Sequence, residues 1–245
     1  MSRVTRIPVD DLRAGPLDLD AQTSRHVARV LRLAPGDALV LFDPEHALEA
    51  TARVVSVERD GVRVVADAPT AARVRAVRQV TLLQAIGKGD KLDAIVRDAT
   101  ELGVTDIVPV ETARAVVLLG DRAADRVARW RRIAIQAARQ SGRGDAPRVH
   151  LPRSWGDAVA DARPAGTLAL CAWEDAEAPI GPLLQGLRPE QPVVLAVGSE
   201  GGLTAAEAAE AAAAGFHLVS LGPFILRTET APAAVLGALL LLTCE

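Results

Sequence analysis

The chain has 245 residues, of which 49% are hydrophobic and 24% charged, and its formal net charge at pH 7 is −3. This length allows one large or two smaller domains, and the composition suits a protein with a true core. Two cysteines and four histidines without ligand spacing argue against a disulfide framework and a metal site. Because no apolar run would span a bilayer and the N-terminus lacks an apolar signal core, we expect a cytoplasmic protein with no membrane partner.

Basic side chains are concentrated in the first two thirds of the chain, and all of them except Lys88 and Lys91 are arginines. Arginine is suited to bidentate contacts with phosphates and bases. Biased codon usage would produce the same excess of arginine over lysine, so the count alone leaves both explanations open.

Residues 1–72 are predicted to form a small β-rich domain. Runs rich in β-branched residues at 38–42, 48–58 and 62–67 predict strands, and turn residues separate them. A helix is expected over residues 24–33. Its Arg25, Arg29 and Arg32 have the i, i+4, i+7 spacing of one basic stripe. Such a stripe is either an ordinary solvated face or a surface for phosphate contacts.

After a linker at 73–78, apolar patterns typical of strands and helices alternate to the end of the chain. Strands are predicted at 80–86, 107–110, 167–172, 192–197 and 217–221, and helices at 91–102, 122–140, 204–214 and 232–242. Thr204 and Glu207 have the spacing of a capping box, and Thr230 is expected to cap the last helix. This alternation predicts an α/β domain with a mostly parallel sheet.

Two turns between a strand and a helix stand out near the end of the chain. The first is Gly198-Ser199-Glu200-Gly201-Gly202, and the second covers residues 221–230. They predict a ligand site at the carboxyl edge of the sheet, although neither has the spacing of a nucleotide-binding loop or a nucleophile elbow. Arg227 and Glu229 in the second turn either form a bracing ion pair or face a cleft, where they would polarise a carbonyl and handle a proton.

Several blocks together carry a family resemblance: residues 25–33 (RHVARVLRL), 88–93 (KGDKLD), 101–104 (ELGV), 140–143 (QSGR), 198–202 (GSEGG), 221–223 (LGP) and 226–231 (LRTETA). Over nearly the whole chain the sequence resembles the RsmE-type 16S ribosomal RNA uracil-N3 methyltransferases of the SPOUT class. It departs from that family at Ser199, where proline is usual, and at Gly144-Asp145, where a polar and a basic residue are common.

The resemblance implies a PUA-like β-barrel over residues 1–72 for RNA docking and a trefoil-knotted α/β methyltransferase domain over residues 73–245. It implies S-adenosylmethionine as the cofactor, 16S rRNA of the small ribosomal subunit as the partner, and a homodimer with the active site at its interface. Two alternatives remain open. One is a SPOUT methyltransferase for another rRNA or tRNA position, and the other is a non-catalytic RNA-binding protein of the same fold.

The resemblance also implies site residues. Arg227, with Arg143 of the partner subunit, would stabilise negative charge on the uracil, and Glu229 or Glu200 would accept its proton. The implied RNA-binding residues are Arg6, Arg25, Arg29, Arg32, Arg139 and Arg143. The implied cofactor-binding residues are Leu170, Ala172, Glu174, Val197, Gly198, Glu200, Gly201, Gly202, Leu221, Gly222, Ile225, Leu226 and Thr230. No metal ligands are implied.

Overall fold

A computed structural model describes residues 5–59, 61–115, 119–162 and 166–242 of the protein. The chain divides into two compact units. The first contains Met1–Arg75 and Ala138–Ala146, and the second contains Ala76–Ala137 and Pro147–Glu245. The return of residues 138–146 to the first unit has no local signal in the sequence, because it depends on contacts with residues far away along the chain.

The first unit is built on one sheet. Its strands are β1 (Arg6–Pro8), β2 (Gly15–Asp18), β3 (Ala38–Asp43), β4 (Leu48–Glu58), β5 (Gly61–Ala66) and β6 (Thr70–Ala71). The order is β1-β3-β4-β5-β2, with β6 on β4, and all pairs are antiparallel except β1 with β3. The three longer strands confirm the sequence prediction. The short β1, β2 and β6 were missed because they lack an apolar run.

The helical segment of the first unit differs from the prediction. It begins earlier, as α1 (Ala21–Arg25), because the Asp20 carboxylate caps the N–H groups of Gln22 and Thr23. It then widens into a π-type turn over His26–Val30, and Arg32 follows with φ +53°. The expected single α-helical stripe of arginines is therefore wrong. A π turn has a different period from an α-helix, and Arg32 lies beyond the end of the helix.

The second unit contains a parallel sheet, as predicted. Its strands are β7 (Val80–Ala85), β8 (Asp106–Glu111), β9 (Arg148–Val149), β10 (Arg153–Ser154), β11 (Leu168–Ala172), β12 (Val193–Val197) and β13 (His217–Val219). The order is β10-β8-β7-β12-β11-β13, with β9 on β8. The helices are α2 (Lys91–Glu101), α3 (Ala123–Ser141), α4 (Trp155–Asp161), α5 (Gly181–Gln185), α6 (Ala205–Ala213) and α7 (Thr230–Leu241).

Helices cover both faces of this sheet. Alternating strand residues such as Leu82 and Leu83 belong to two different apolar clusters. The first cluster includes Trp130 of α3 and side chains of α2 and α7, and the second includes Trp155 of α4 and Ala211 of α6. Because both faces are covered, the strand ends and their loops are where a ligand can reach the sheet.

The starts of the last two helices gave one correct and one wrong prediction. Thr204 and Glu207 form the expected capping box at α6. Thr230 does not cap α7 but is its first residue, and the N–H groups of Thr230 and Ala231 both donate to the Arg227 carbonyl. A backbone oxygen thus does what a capping side chain would do.

The trefoil knot implied by the resemblance stays a prediction. Every helix in the described ranges is too short or too polar to cross a bilayer.

Candidate functional site

A cavity of about 600 Å³ lies at the carboxyl edge of the parallel sheet. Its walls are the loops that follow three neighbouring strands, namely residues 172–174 after β11, 197–202 after β12 and 220–228 after β13. Lys91, the first residue of α2, and Ala231 of α7 complete the lining. A cavity of this size, at this edge of an α/β sheet, is suited to a small organic ligand.

Most of the predicted cofactor residues line this cavity: Ala172, Glu174, Val197, Gly198, Glu200, Gly201, Gly202, Leu221, Gly222, Ile225 and Leu226. Two of them do not. Leu170 is fully buried within β11, and Thr230 is exposed at the start of α7. The cavity also has lining residues that were not predicted, including Lys91 and Trp173.

Glycine is favoured at two positions of the first turn. Gly202 has φ +69°, a backbone conformation that other residues rarely adopt, and a Cβ there would collide with Oε1 of Glu174 unless that side chain moved. A Cβ on Gly198 would lie 3.1 Å from the Gly202 carbonyl carbon and from Cγ of Leu203. The turn is closed by a 2.9 Å hydrogen bond from the Gly202 N–H to the Ser199 carbonyl. The glycines therefore let one cavity wall fold tightly and bring the Glu174 carboxylate against main chain.

The same turn is braced from outside the cavity by Arg114. Its guanidinium donates to the carbonyls of Gly201 (2.9 Å) and Leu203 (3.3 Å). The N–H of the preceding residue, Ala113, donates to the Glu207 carboxylate at 2.7 Å. Sequence reasoning missed Arg114, because its partners lie almost ninety residues away and no local pattern connects them.

A buried polar chain joins the two main walls. The Gln84 side chain of β7 is fully buried, and its amide donates to the Thr228 hydroxyl at 3.0 Å. The Thr228 hydroxyl in turn donates to the Gly198 carbonyl at 2.7 Å. An unsatisfied buried polar group costs about 1–3 kcal/mol. These bonds therefore fix the loop after β13 against the loop after β12.

Lys91 lies between two carboxylates. Its Nζ is 3.0 Å from Oε1 of Glu200 and 3.7 Å from Oε2 of Glu229. Burial by itself raises the pKa of Glu200, but hydrogen bonds from its own N–H, from Lys91 and from the Lys88 N–H outweigh burial and hold the pKa below its usual range. The Glu200 carboxylate is therefore ionised at neutral pH. Glu229, which does not line the cavity, pairs with Lys91 rather than with Arg227.

Arg227 is exposed and lines the cavity. Across the described part of the chain its guanidinium has no hydrogen-bond or ion-pair partner. Its neighbours Phe224 and Ile225 are 78% and 89% exposed, and Phe224 is the one exposed residue among the described phenylalanines and tryptophans. This loop thus presents an unpaired cation and an aromatic ring together at the cavity.

The predicted RNA-binding arginines fall into two groups. Arg25, Arg29 and Arg32 are exposed in the first unit. The other three, Arg6, Arg139 and Arg143, are engaged within the first unit. Arg6 pairs with Glu49 at 3.0 Å, and its guanidinium lies 5.1 Å from the centre of the Phe42 ring.

Arg139 and Arg143 both lie in the segment 138–146. The Arg139 guanidinium is 2.8 Å from Nε2 of His26, and burial, followed by the Arg139 charge, lowers the pKa of that imidazole. His26 is therefore neutral and accepts the hydrogen bond. Arg143 is only 5% exposed and forms a two-bond ion pair with Asp145, at 2.6 and 3.1 Å. Asp145 is one of the two departures from the family pattern.

Comparisons with known proteins identify the family. The RNA methyltransferase domain family matches residues 75–240, and the RNA methyltransferase PUA domain family matches residues 19–67. The ribosomal RNA small subunit methyltransferase E of Mycobacterium bovis is 34% identical, over 92% of this chain and 86% of that protein. The chain belongs to this methyltransferase E family. The Bacillus subtilis member is 29% identical over 92% of this chain and 90% of its own length.

Solved structures support the family assignment. The methyltransferase E of Neisseria gonorrhoeae, determined bound to S-adenosyl methionine, has a TM-score of 0.88 and 34% identity, with 98% of each chain covered. A Legionella pneumophila protein, solved in complex with the bound cofactor SAM, has a TM-score of 0.87 and 30% identity, with 97% of each chain covered. The resemblance found in the sequence is confirmed, as are the parallel-sheet α/β fold and the PUA-like N-terminal domain.

Proposed function

We propose that this protein methylates N3 of a uracil in 16S rRNA of the small ribosomal subunit, and that S-adenosylmethionine binds in the cavity at the carboxyl edge of the parallel sheet. The observation that carries the proposal is the set of three loops, after β11, β12 and β13, that meet around about 600 Å³. Relatives that share the fold were solved with this cofactor. When bound, S-adenosylmethionine supplies an electrophilic methyl group on a sulfonium.

The residues present suit such a cofactor. Gly198 and Gly202 line the cavity, and the absence of side chains there leaves main chain open to a ligand. Val197, Leu221 and Leu226 supply apolar surface, and the carboxylates of Glu174 and Glu200 supply acceptors for hydroxyl and amino groups. These features support binding by backbone groups and a few polar side chains, as in most small-molecule sites.

The chemical difficulty is at the uracil. Its N3 carries a proton and is a poor nucleophile, and removal of that proton spreads negative charge onto O2 and O4. We assign the stabilisation of this charge to Arg227, because its guanidinium lines the cavity and no described residue neutralises it. The Glu200 carboxylate is already engaged by Lys91 and by the Lys88 N–H, and Glu229 lies outside the lining. In this proposal the base therefore ionises before methyl transfer, and its proton passes to hydroxide from the solvent rather than to either carboxylate.

The target base must be unpaired or flipped, because N3 takes part in Watson–Crick pairing. The exposed ring of Phe224, three residues before Arg227, offers a face on which an extruded base can stack. In the first unit the exposed Arg25, Arg29 and Arg32 are suited to RNA phosphates. Phosphate contacts fix the register of the RNA, while the cavity selects the base.

The proposal includes a homodimer with an active site shared between subunits. At the end of α7, Leu240, Leu241 and Leu242 are exposed, by 37%, 75% and 45%. Contiguous exposed apolar side chains mark interaction surfaces, and a second copy would cover them. Sedimentation at micromolar concentration checks this point, and a persistent monomer with full activity would rule out a shared site.

Because the substrate is ribosomal, we also propose that the protein acts in the cytoplasm.

The decisive experiment adds pure protein and methyl-labelled S-adenosylmethionine to small ribosomal subunits from a strain that lacks the enzyme. Nucleoside analysis of the 16S rRNA should then show labelled 3-methyluridine. Label on a ribose oxygen or on another base would instead indicate a SPOUT methyltransferase of different specificity. Cofactor binding with no label in any ribosomal RNA or tRNA would indicate a non-catalytic RNA-binding protein.

A further inference from the structure

We propose that Lys91 is a positioning residue that holds the Glu200 loop and the Arg227 loop together and keeps both carboxylates away from Arg227. The inference rests on the proposed function. Its central observation is that one ammonium, on neither loop, contacts an acid from each: Glu200 at 3.0 Å and Glu229 at 3.7 Å.

Lys91 extends from a braced part of the fold. It is the first residue of α2, and the next residue, Leu92, is buried in the core. The Arg126 guanidinium donates to the Gly89 carbonyl at 2.7 Å and pairs with Asp90 at 3.4 Å. A cation in the first turn of a helix is opposed by the helix dipole. The stability of this arrangement therefore comes from the two carboxylates and not from the helix.

The Glu200 carboxylate is held on two sides by the turn that precedes α2. Besides Lys91, it accepts the Lys88 N–H at 3.2 Å. It also lies so close to Gly87 that a Cβ there would be 3.0 Å from Oε2. Residues 87–91 thus surround the Glu200 side chain and fix the position of the Gly-rich turn, which is one wall of the cavity.

Glu229 connects the same ammonium to the catalytic loop. It lies two residues after Arg227, and the Arg227 carbonyl accepts the first two N–H groups of α7. The backbone of Arg227 and that of Glu229 are therefore parts of one fixed turn. A contact that places Glu229 also places the stem of Arg227.

The charges around the cavity explain why the contacts of Lys91 with Glu200 and Glu229 matter for the reaction. The basic residues of the lining are Lys91 and Arg227, and Lys91 is neutralised by its two acids. Without Lys91, Glu200 and Glu229 lose their cation, and Arg227 is the other basic residue of the lining. A guanidinium drawn toward these carboxylates no longer stabilises charge on a base. In this proposal Lys91 acts on the reaction through Arg227.

The test compares Lys91→Met with Lys88→Met. Both variants lose one positive charge on the same turn, but the Lys88 side chain is exposed and has no partner among the described residues, and its N–H survives the substitution. Single-turnover methylation of small subunits should fall about tenfold or more in Lys91→Met, as expected for misplacement of a catalytic group. The rate should be unchanged in Lys88→Met. Lys91→Arg, which keeps the positive charge, should retain most of the wild-type rate.

A second variant separates diversion of Arg227 from simple misfolding. Adding Glu229→Gln to Lys91→Met removes one of the freed carboxylates, so part of the lost rate should return. Hydrogen exchange gives a readout that needs no activity. Amides of residues 198–202 and 227–231 should exchange faster in Lys91→Met and not in Lys88→Met.

The proposal would be overturned if the methylation rate and the amide exchange rates of Lys91→Met were the same as those of Lys88→Met. So would a loss of cofactor affinity that accounts for the whole rate loss and is not relieved by Glu229→Gln. Failure of the proposed function looks different, because the wild-type protein would then form no 3-methyluridine while the exchange comparison still reports on the two loops.

Discussion

Two arginines of this protein, both expected to supply positive charge to the reaction, are in opposite situations. Arg143, in the segment 138–146 of the first unit, is buried and paired with Asp145. Arg227, at the cavity of the second unit, is exposed and has no acidic partner within the described ranges. The difference is made by nearby acids. Asp145 neutralises Arg143, whereas Glu229 is held by Lys91 and leaves Arg227 available.

The largest effect should come from removing the available arginine. Arg227→Ala should lower the single-turnover rate by about 100-fold or more, by analogy with the loss of one oxyanion-stabilising donor. Cofactor affinity measured by calorimetry should fall much less, because a bound sulfonium gains nothing from a nearby cation. Arg227→Lys, which keeps the charge but not the planar fork, is the matched control and should lose less.

The pH dependence sharpens this prediction. If Arg227 promotes loss of the N3 proton, the Arg227→Ala rate should recover as pH rises and the base ionises unaided. An unchanged profile, with cofactor binding lost in proportion to rate, would show that Arg227 is structural and would remove the contrast with Arg143.

The buried arginine should matter for stability instead. Asp145→Asn removes the charge that compensates a buried guanidinium, and we expect it to lower the free energy of unfolding by about 1–3 kcal/mol. Denaturant unfolding is the measurement. Asp18→Asn breaks the exposed Arg63–Asp18 pair and is the control; it should lose much less stability, because solvent screens an exposed pair. Equal losses from the two variants would mean that burial does not distinguish these pairs.

The buried hydrogen bonds that join the loops after β12 and β13 should be sensitive to the loss of one hydroxyl group. Thr228→Val keeps the shape but leaves the Gln84 amide and the Gly198 carbonyl without their Thr228 partner, at a cost of about 1–2 kcal/mol. Thr230→Val, two residues later at an exposed position, should change stability by less than about 0.5 kcal/mol. Cofactor affinity should weaken only in Thr228→Val. Unfolding curves and calorimetry that do not separate the two variants would contradict this.

The smallest effect per residue should be in the first unit. Neutralising Arg25, Arg29 and Arg32 to Gln should reduce the slope of log affinity for RNA against log salt by about one for each lost phosphate contact. Cofactor affinity should stay the same. Arg97→Gln, which breaks an exposed pair in the second unit, is the control. An unaltered slope in the triple variant would mean that these arginines form an ordinary solvated face.

The sequence predicted the walls of the cavity well, because their signals are local. A strand, a Gly-rich turn and a capped helix follow one another within about twenty residues, so the loops after β12 and β13 can be placed without any tertiary information. Leu170 and Thr230, which the resemblance implied as cofactor-binding residues, lie outside the cavity lining. A motif marks a segment, but whether its end residue points into the core or the cavity depends on packing.

The residues that the sequence missed come from outside those segments. Lys91 and Arg114 reach the Gly-rich turn only because β7 lies beside β12 and β8 beside β7. No spacing rule connects residue 91 or 114 to residue 200. The basic stripe failed differently: its spacing assumed α-helical periodicity, and a π-type turn replaced it. The residues there do form a helical segment, as their helix propensities indicate, but the segment does not have α-helical periodicity throughout.

The order of strands in the parallel sheet has a consequence for synthesis of the chain. β12 is inserted between β7 and β11, so the cavity is assembled only after residues up to 231 have left the ribosome. The first unit needs nothing beyond residue 146. A nascent chain can therefore fold the unit that carries Arg25, Arg29 and Arg32 well before its cofactor site exists. On the proposed function, the protein is competent to hold RNA before it is competent to modify it.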